Sequence, residues 1–371
     1  MSEPVRVLQV IGILNQSGAE TMIMNLYRHI DRNRVQFDFV ENENDGAFFD
    51  NEVRNLGGRI YHCPRFNGKN YLSYIKWWKE FFDAHKEFKI VHGHIGSTAA
   101  FYLKEARDRG LVTIAHSHSV GTRNWNQLVY NVLSYPTRFI SKFFFMCSKQ
   151  AGISRYGKRV AEDKSRAFMI PNAIDANLYR FSEETRRRKR NELKIFPGTY
   201  LIGHVGRFVD AKNHLFLLKI FKKIVTFQPN SKLLLVGDGQ LRPQIETAIA
   251  DLGLINEVIL LGMRSDVNEL MMAMDVLVFP SIYEGLPVTL VEAQCSGLPC
   301  VISNKVSSDS VLIENLVQVK SLDNSDEEWA KASLDAECVD RIDCADRIKE
   351  AGFDVVENAK WLEEFYLEKA K

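Results

Sequence analysis

Glu284 and Glu292 flank a Gly-Leu-Pro turn in the stretch Asp275–Ser303. Upstream, Val276 to Pro280 is a short apolar run of the kind that forms a buried parallel strand, whose carboxyl end opens on a crevice. Glu284-Gly285-Leu286-Pro287 reads as the turn leaving that strand. Pro287 suits the first position of a helix, and Gly297 with Pro299 marks where that helix stops. A helix starting there leaves the amides of Val288, Thr289 and Leu290 without intrahelical acceptors. Diphosphate oxygens would satisfy them, each charge-assisted bond contributing about 1.5–3 kcal/mol. A carboxylate beside an anion is costly unless it serves another part of the ligand, and sugar hydroxyls are its natural partners. Glu284 and Glu292 are therefore candidate hydroxyl readers for a sugar nucleotide. The competing reading makes Glu284 an ordinary turn residue and Glu292 a solvated helix residue.

A second cluster is cationic. In Gly206–His214, GRFVDAKNH, Arg207 and Lys212 sit in a loop between the apolar run Leu201–Val205 and the amphipathic run Leu215–Ile224. Two cations at that spacing can converge on a diphosphate, one as a planar fork and the other as a point charge. The alternative is two solvated cations. Histidines form a third group: His116 and His118 end the apolar run of LVTIAHSHSV, and His92 and His94 flank another apparent strand end in IVHGHIGS. Four imidazoles at strand ends also raise zinc, but no acidic or cysteine partner has ligand spacing, so the expectation is no metal.

These residues need strand ends and helix starts to hold them, and the chain supplies both. Apolar strand patterns alternate with amphipathic helical ones almost throughout, which predicts α/β architecture with parallel sheets. Val5–Ile11 reads as the first strand. Gly12–Gly18 follows as a turn into a helix over Ala19–Tyr27, where Gly18 lets backbone approach a phosphate, although no GxGxxG fingerprint is present. LLLVGDG, ending at Gly237 and Gly239, and VILLG, followed by Met263 and Arg264, are two further strands running into turns. The length of 371 residues suits two domains, and 46% hydrophobic with 26% charged content is an ordinary globular mixture. Boundaries are expected at 1–175, 176–350 and 351–371. Pro171–Leu193 is read as an extended linker followed by a capped, solvated helix carrying Arg186 to Arg190. The tail FDVVENAKWLEEFYLEKAK places Phe353, Val356, Ala359, Trp361, Leu362 and Phe365 on one amphipathic helix.

The EGLPVTLVE run, a glutamate followed by seven residues and a second glutamate, resembles the retaining glycosyltransferases of family 4, and the similarity extends over nearly the whole chain. That resemblance implies the GT-B fold, two doubly wound Rossmann-like domains facing a central cleft, with the C-terminal helix crossing back onto the first. It implies that Glu284 contacts the donor sugar and Glu292 the ribose, and that Arg207 and Lys212 hold the leaving diphosphate. It also implies an active-site histidine after the LVTIA strand, His118 with His116 as competitor, and base contacts from the backbone at Met263 and Arg264. Retention without a protein nucleophile or metal is implied as well, in keeping with the lack of a DxD pair. AHSHS and Cys300–Ala330 resemble members from bacterial capsule and exopolysaccharide synthesis. The implied donor is a nucleotide diphosphate sugar, with uridine as the base, and the implied acceptor a lipid-linked glycan.

Charge is uneven: the net +1 divides into +8 over residues 1–180 and −7 over the rest. Between Val120 and Val160 lie seven basic residues and no acidic one, interleaved with aromatics that include Phe143 to Phe145. Such a face suits an anionic membrane surface, at about 1 kcal/mol per basic residue, or is a solvated rim over a buried strand; a nucleic-acid use lacks any module. No apolar run reaches the roughly 18 residues a bilayer span needs, and the opening runs straight into a strand, so the expected location is the cytoplasm, at the inner face of the membrane. The six cysteines lack ligand spacing and read as buried thiols. Two rivals share the fold: a nucleotide-sugar epimerase and an inactive subunit partnering a transferase.

Overall fold

The computed structural model describes residues 3–15, 17–42, 46–118, 131–336 and 341–371. The chain forms two compact units, Met1–Ala173 with Val355–Lys371, and Ile174–Asp354. In the first, seven parallel strands are ordered β3-β2-β1-β4-β5-β6-β7. They are β1 Val5–Val10, β2 Val35–Glu41, β3 Ile60–His62, β4 Ile90–Gly93, β5 Val112–Ser117, β6 Phe143–Met146 and β7 Ala167–Met169. In the second, six strands follow the order β10-β9-β8-β11-β12-β13. These are β8 Tyr200–Val205, β9 Ser231–Val236, β10 Val258–Gly262, β11 Val276–Phe279, β12 Cys300–Ser303 and β13 Val317–Lys320. Both orders reverse direction once, between β1 and β4 and between β8 and β11. In doubly wound sheets, ligands bind outside the carboxyl ends of the strands at that reversal.

Burial explains why these runs are strands. Helices cover both faces of a doubly wound sheet, so its strands must be apolar on both sides, and β2, β4, β6, β11 and β12 are buried at every residue. The one buried acid of β2 that faces a cation, Asp38, is bound by Arg6 Nε at 2.6 Å and by the Arg59 amide at 2.7 Å. The helix Val355–Lys369 belongs to the first unit, where Val355, Ala359, Leu362, Phe365 and Tyr366 join a core with the helix Gly18–His29 and the strands.

Several expectations are corrected. Phe353 is not on the last helix: it precedes it and packs in the second unit with Ile174, Ile313 and Ile348. Val356 and Trp361 are partly exposed, so the buried stripe of that helix is the set just named. The helix Glu183–Glu192 is capped, with Ser182 Oγ accepting from the Thr185 amide, but its basic run is not merely solvated. Lys189 is buried and pairs with Asp266 at 2.7 Å, Glu192 at 2.8 Å and Glu269 at 2.9 Å, while Arg186 and Arg190 both clamp Asp275. Phe143, Phe144 and Phe145 are buried in β6, which removes them from any membrane-facing surface. Arg123, Trp125 and Tyr130 lie outside the described residues. Cys63, Cys147, Cys295, Cys300 and Cys344 are free, buried thiols; Cys338 lies outside the described residues.

Candidate active site

In the second unit, the loops leaving β8 and β11 are stitched together at the strand reversal. The Ile282 amide donates to the Ala211 carbonyl at 2.8 Å, and Asn213 Nδ2 donates to the Pro280 carbonyl at 3.1 Å. Asn213 takes a left-handed conformation, φ 57°, which an asparagine tolerates better than most residues and which turns the chain into the helix His214–Phe227. Between these stitches Lys212 Nζ donates to Glu284 Oε1 at 2.5 Å, and its ammonium lies 4.7 Å from the centre of the Phe279 ring. The pair therefore joins the two sequence clusters at one point. Arg207 is close by in the chain but exposed.

Beyond Glu284 the turn is pinned to the segment after β12: the Glu284 amide donates to the Lys305 carbonyl at 3.3 Å and the Ser307 amide to the Glu284 carbonyl at 3.2 Å. The helix then runs from Val288 to Cys295, with Pro287 at its cap rather than inside it and no capping side chain. Val288 and Thr289 are first-turn amides, as expected. The Leu290 amide is not free, since it donates to the Pro287 carbonyl at 3.1 Å. Glu292 projects from the second turn and accepts from the Tyr179 hydroxyl at 2.7 Å; burial raises its carboxyl above the ordinary range. Tyr179 has no signal in the local sequence, because its partner is far along the chain.

The glycines divide into two kinds. Gly206 and Gly237 are needed by the protein: a Cβ on Gly237, φ +137°, would lie 2.1 Å from the Gly206 carbonyl oxygen, and one on Gly206 would crowd Lys212. Gly18 and Gly285 have no atom within 4 Å of where a Cβ would stand. Their backbones are open to an approaching group. Met263 is largely exposed after β10, and the Arg264 guanidinium forms a two-bond pair with Asp266, both contacts at 2.7 Å. His204, within β8, is fully buried; its Nδ1–H donates to the Val278 carbonyl at 2.9 Å and its ring stacks on Phe279.

In the first unit, the ends of β1, β4 and β5 bring all four candidate histidines into one cluster. His92 and His116 are buried, His94 and His118 partly so. His92 Nε2 lies 3.2 Å from His116 Nδ1, and His94 Nδ1 lies 2.8 Å from His118 Nε2. His92 Nδ1 also contacts the Tyr366 hydroxyl at 2.6 Å, and His94 Nε2 contacts Gln9 Oε1 at 2.9 Å. The His116 and His118 rings stack with centres 4.1 Å apart. Burial holds His92, His94 and His116 well below the usual imidazole range and takes His118 down to about 4, so the four rings are neutral at pH 7. One ligand atom each from His92, His94 and His116 lies within 4.8 Å of the others. Gln9 and Tyr366, the residues tying the cluster together, were not legible in the sequence: one is a polar residue inside an apolar strand, the other a position on the last helix.

Comparison with known proteins agrees with this architecture. Residues 185–352 match the family described as "Glycosyl transferases group 1", and residues 16–178 match "Glycosyltransferase Family 4". The chain is 35% identical over 340 residues to the "Putative glycosyltransferase EpsF" of Bacillus subtilis (strain 168), covering 89% of this chain and 87% of that one. It is 27% identical over 272 residues to the Escherichia coli "UDP-Gal:alpha-D-GlcNAc-diphosphoundecaprenol alpha-1,3-galactosyltransferase", covering 68% and 70%. Among solved structures, Anabaena Alr3699/HepE in complex with UDP superposes with a TM-score of 0.78 at 17% identity, over 97% of this chain and 99% of that one. The relatives, the two matched regions and the paired parallel sheets place the chain among the family 4 glycosyltransferases of GT-B fold.

Proposed function

We propose that the chain transfers a hexose or N-acetylhexosamine from a UDP-sugar to a lipid-linked glycan in exopolysaccharide or capsule synthesis, with retention of anomeric configuration and without a metal. The observation that carries this is the Lys212–Glu284 pair at the strand reversal, beside the first-turn amides of Val288 and Thr289. A diphosphate arriving there competes with Glu284 for the ammonium and accepts from the helix amides. The freed Glu284 carboxylate then accepts from sugar hydroxyls, and Glu292, fixed by Tyr179, does the same for the ribose. Arg207 and Lys212 supply positive charge to the diphosphate as it departs, and the acceptor hydroxyl attacks from the face that it leaves. The UDP held by the Anabaena protein and the diphospholipid acceptor of the E. coli relative support the donor and acceptor classes.

Lys212→Ala is expected to keep its fold and lose about 100- to 1000-fold in turnover, the usual cost of removing one preorganised electrostatic donor. A panel of nucleotide sugars screened by melting temperature names the donor, since a ligand at about 100 times its dissociation constant adds about 2.7 kcal/mol. An unchanged transfer rate in Lys212→Ala, or a panel in which no nucleotide sugar raises the melting temperature, sinks the proposal. Free nucleotide released without any acceptor would favour the epimerase reading instead.

We propose further that the protein works on the inner face of the membrane. Val132, Tyr135 and Phe139 are exposed beside Arg138 and Lys142, which supports docking on an anionic surface. Among the described residues no helix is long and apolar enough to cross a bilayer.

A further inference from the structure

We infer that Gln9 sets the proton positions of the histidine cluster so that His116 and His118 together read one sugar hydroxyl, one ring donating to it and the other accepting from it. The inference rests on the glycosyltransferase reading above, in that it requires a sugar substrate. Its basis is the way the hydrogen bonds are chained. Gln9 is buried, and its amide faces two separate rows of groups: Oε1 contacts His94 Nε2 at 2.9 Å, and Nε2 contacts the Tyr366 hydroxyl at 3.4 Å.

In the first row, Gln9 Oε1 can only accept, so His94 carries its proton on Nε2 and its Nδ1 is a lone pair. His118 Nε2 must then donate to it at 2.8 Å, which leaves His118 Nδ1 a bare acceptor. Along the second row, Gln9 Nε2 donates to Tyr366, whose buried hydroxyl hydrogen has only His92 Nδ1 as an acceptor among the described residues and so donates to it at 2.6 Å. His92 Nε2–H in turn donates to His116 Nδ1 at 3.2 Å, which leaves His116 Nε2–H a bare donor. Those two terminal atoms, His116 Nε2 and His118 Nδ1, are buried and have no partner among the described residues. Turning the Gln9 amide over reverses every bond in both rows, and the ends are again one donor and one acceptor. The result does not depend on the orientation of the amide, only on its having one of each.

A hydroxyl both donates and accepts, and so matches the pair. A phosphate oxygen only accepts and an ammonium only donates, so each would leave one buried nitrogen unpaired, at about 1–3 kcal/mol. Thus the first unit offers a hydroxyl site, whereas the cations and helix amides of the second suit an anion. Gln9 touches no substrate in this scheme; it is a positioning residue.

Nitrogen-15 spectra of histidine-labelled wild-type protein test the chain directly. Either orientation of Gln9 gives all four rings the same neutral tautomer, all Nε2–H or all Nδ1–H; a mixed set overturns the inference. In Gln9→Glu both side-chain oxygens accept, so the Tyr366–His92–His116 row and the His94–His118 row end alike and the tautomers become mixed. Transfer by Gln9→Glu is expected to fall about 10- to 100-fold in kcat/KM while UDP affinity stays within about twofold, since the nucleotide is held by the second unit. Tyr366→Phe, a milder change, uncouples only His92 and His116 and should give a smaller loss. Wild-type transfer by Gln9→Glu would overturn the inference. So would stoichiometric zinc in the purified protein, because in either orientation His92 and His94 could bind it only with lone pairs the rows already use. Failure of the wild-type protein to bind any nucleotide sugar would instead count against the proposed function, and the tautomer spectra would still decide the proton arrangement.

Discussion

Gly237 and Gly285 both follow strands in the second unit, yet the protein asks opposite things of them. Gly237→Ala would force a side chain into a positive φ and against the Gly206 carbonyl, so its denaturant midpoint should drop, by about 1–3 kcal/mol of stability. Gly285→Ala meets no atom and needs no unusual φ, so it should melt as wild type. Its added methyl stands where the ligand is proposed to approach, and the nucleotide-sugar KM should rise several-fold. Equal effects of the two substitutions on the midpoint would contradict this division. Glu284 and Lys212 were legible in the sequence because residue type and local spacing were enough to mark them. Gln9, Tyr179 and Tyr366 were not, since what makes each important is a partner 357 or 113 residues away, a distance no local pattern reports.

At the scale of elements, strand ends and helix starts were the most legible features, because a strand buried on both faces announces itself as a continuous apolar run. The helix Glu183–Glu192 was legible as a helix but not in what it binds. A run of five basic residues looks solvated until the fold brings acids to it, and Asp275 is the acid that matters. It is held by Arg186 and Arg190 and accepts from the Leu201 amide at 2.6 Å, tying the helix to the start of β11 and to β8. Asp275→Ala leaves two guanidinium groups facing each other without their shared carboxylate. It should cost about 3–5 kcal/mol in urea unfolding, and a loss under about 1 kcal/mol would show that the clamp is not what holds the helix there.

Across the whole molecule, stability should depend on pH through its buried imidazoles. His92, His94, His116 and His204 are pushed well below their ordinary range by burial, and His118 and His214 down to about 4. The unfolded chain takes up protons near pH 6.5 while the folded chain refuses them, so stability is greatest above that pH and falls as acid is added toward pH 4. Each pKa unit is worth about 1.4 kcal/mol. Buried Glu41 and Glu292 act in the opposite sense, since burial raises their carboxyls and the folded state gains as they protonate, but they are two carboxyls against six imidazoles. The urea midpoint should therefore be lower at pH 5 than at pH 7.5; a flat or rising midpoint would mean the imidazoles are hydrated in the folded state. The two-sheet architecture was legible from the alternation of patterns, whereas which residues of the tail belong to which unit was settled only by packing. The placement of Val355–Lys369 has a consequence for biosynthesis. A ribosome must polymerise all of Ile174–Asp354 before it makes the helix that completes the amino-terminal body. Gln9, made before that insert, therefore waits for Tyr366, made after it, and the nascent sheet of the first unit is exposed to chaperones for the whole interval.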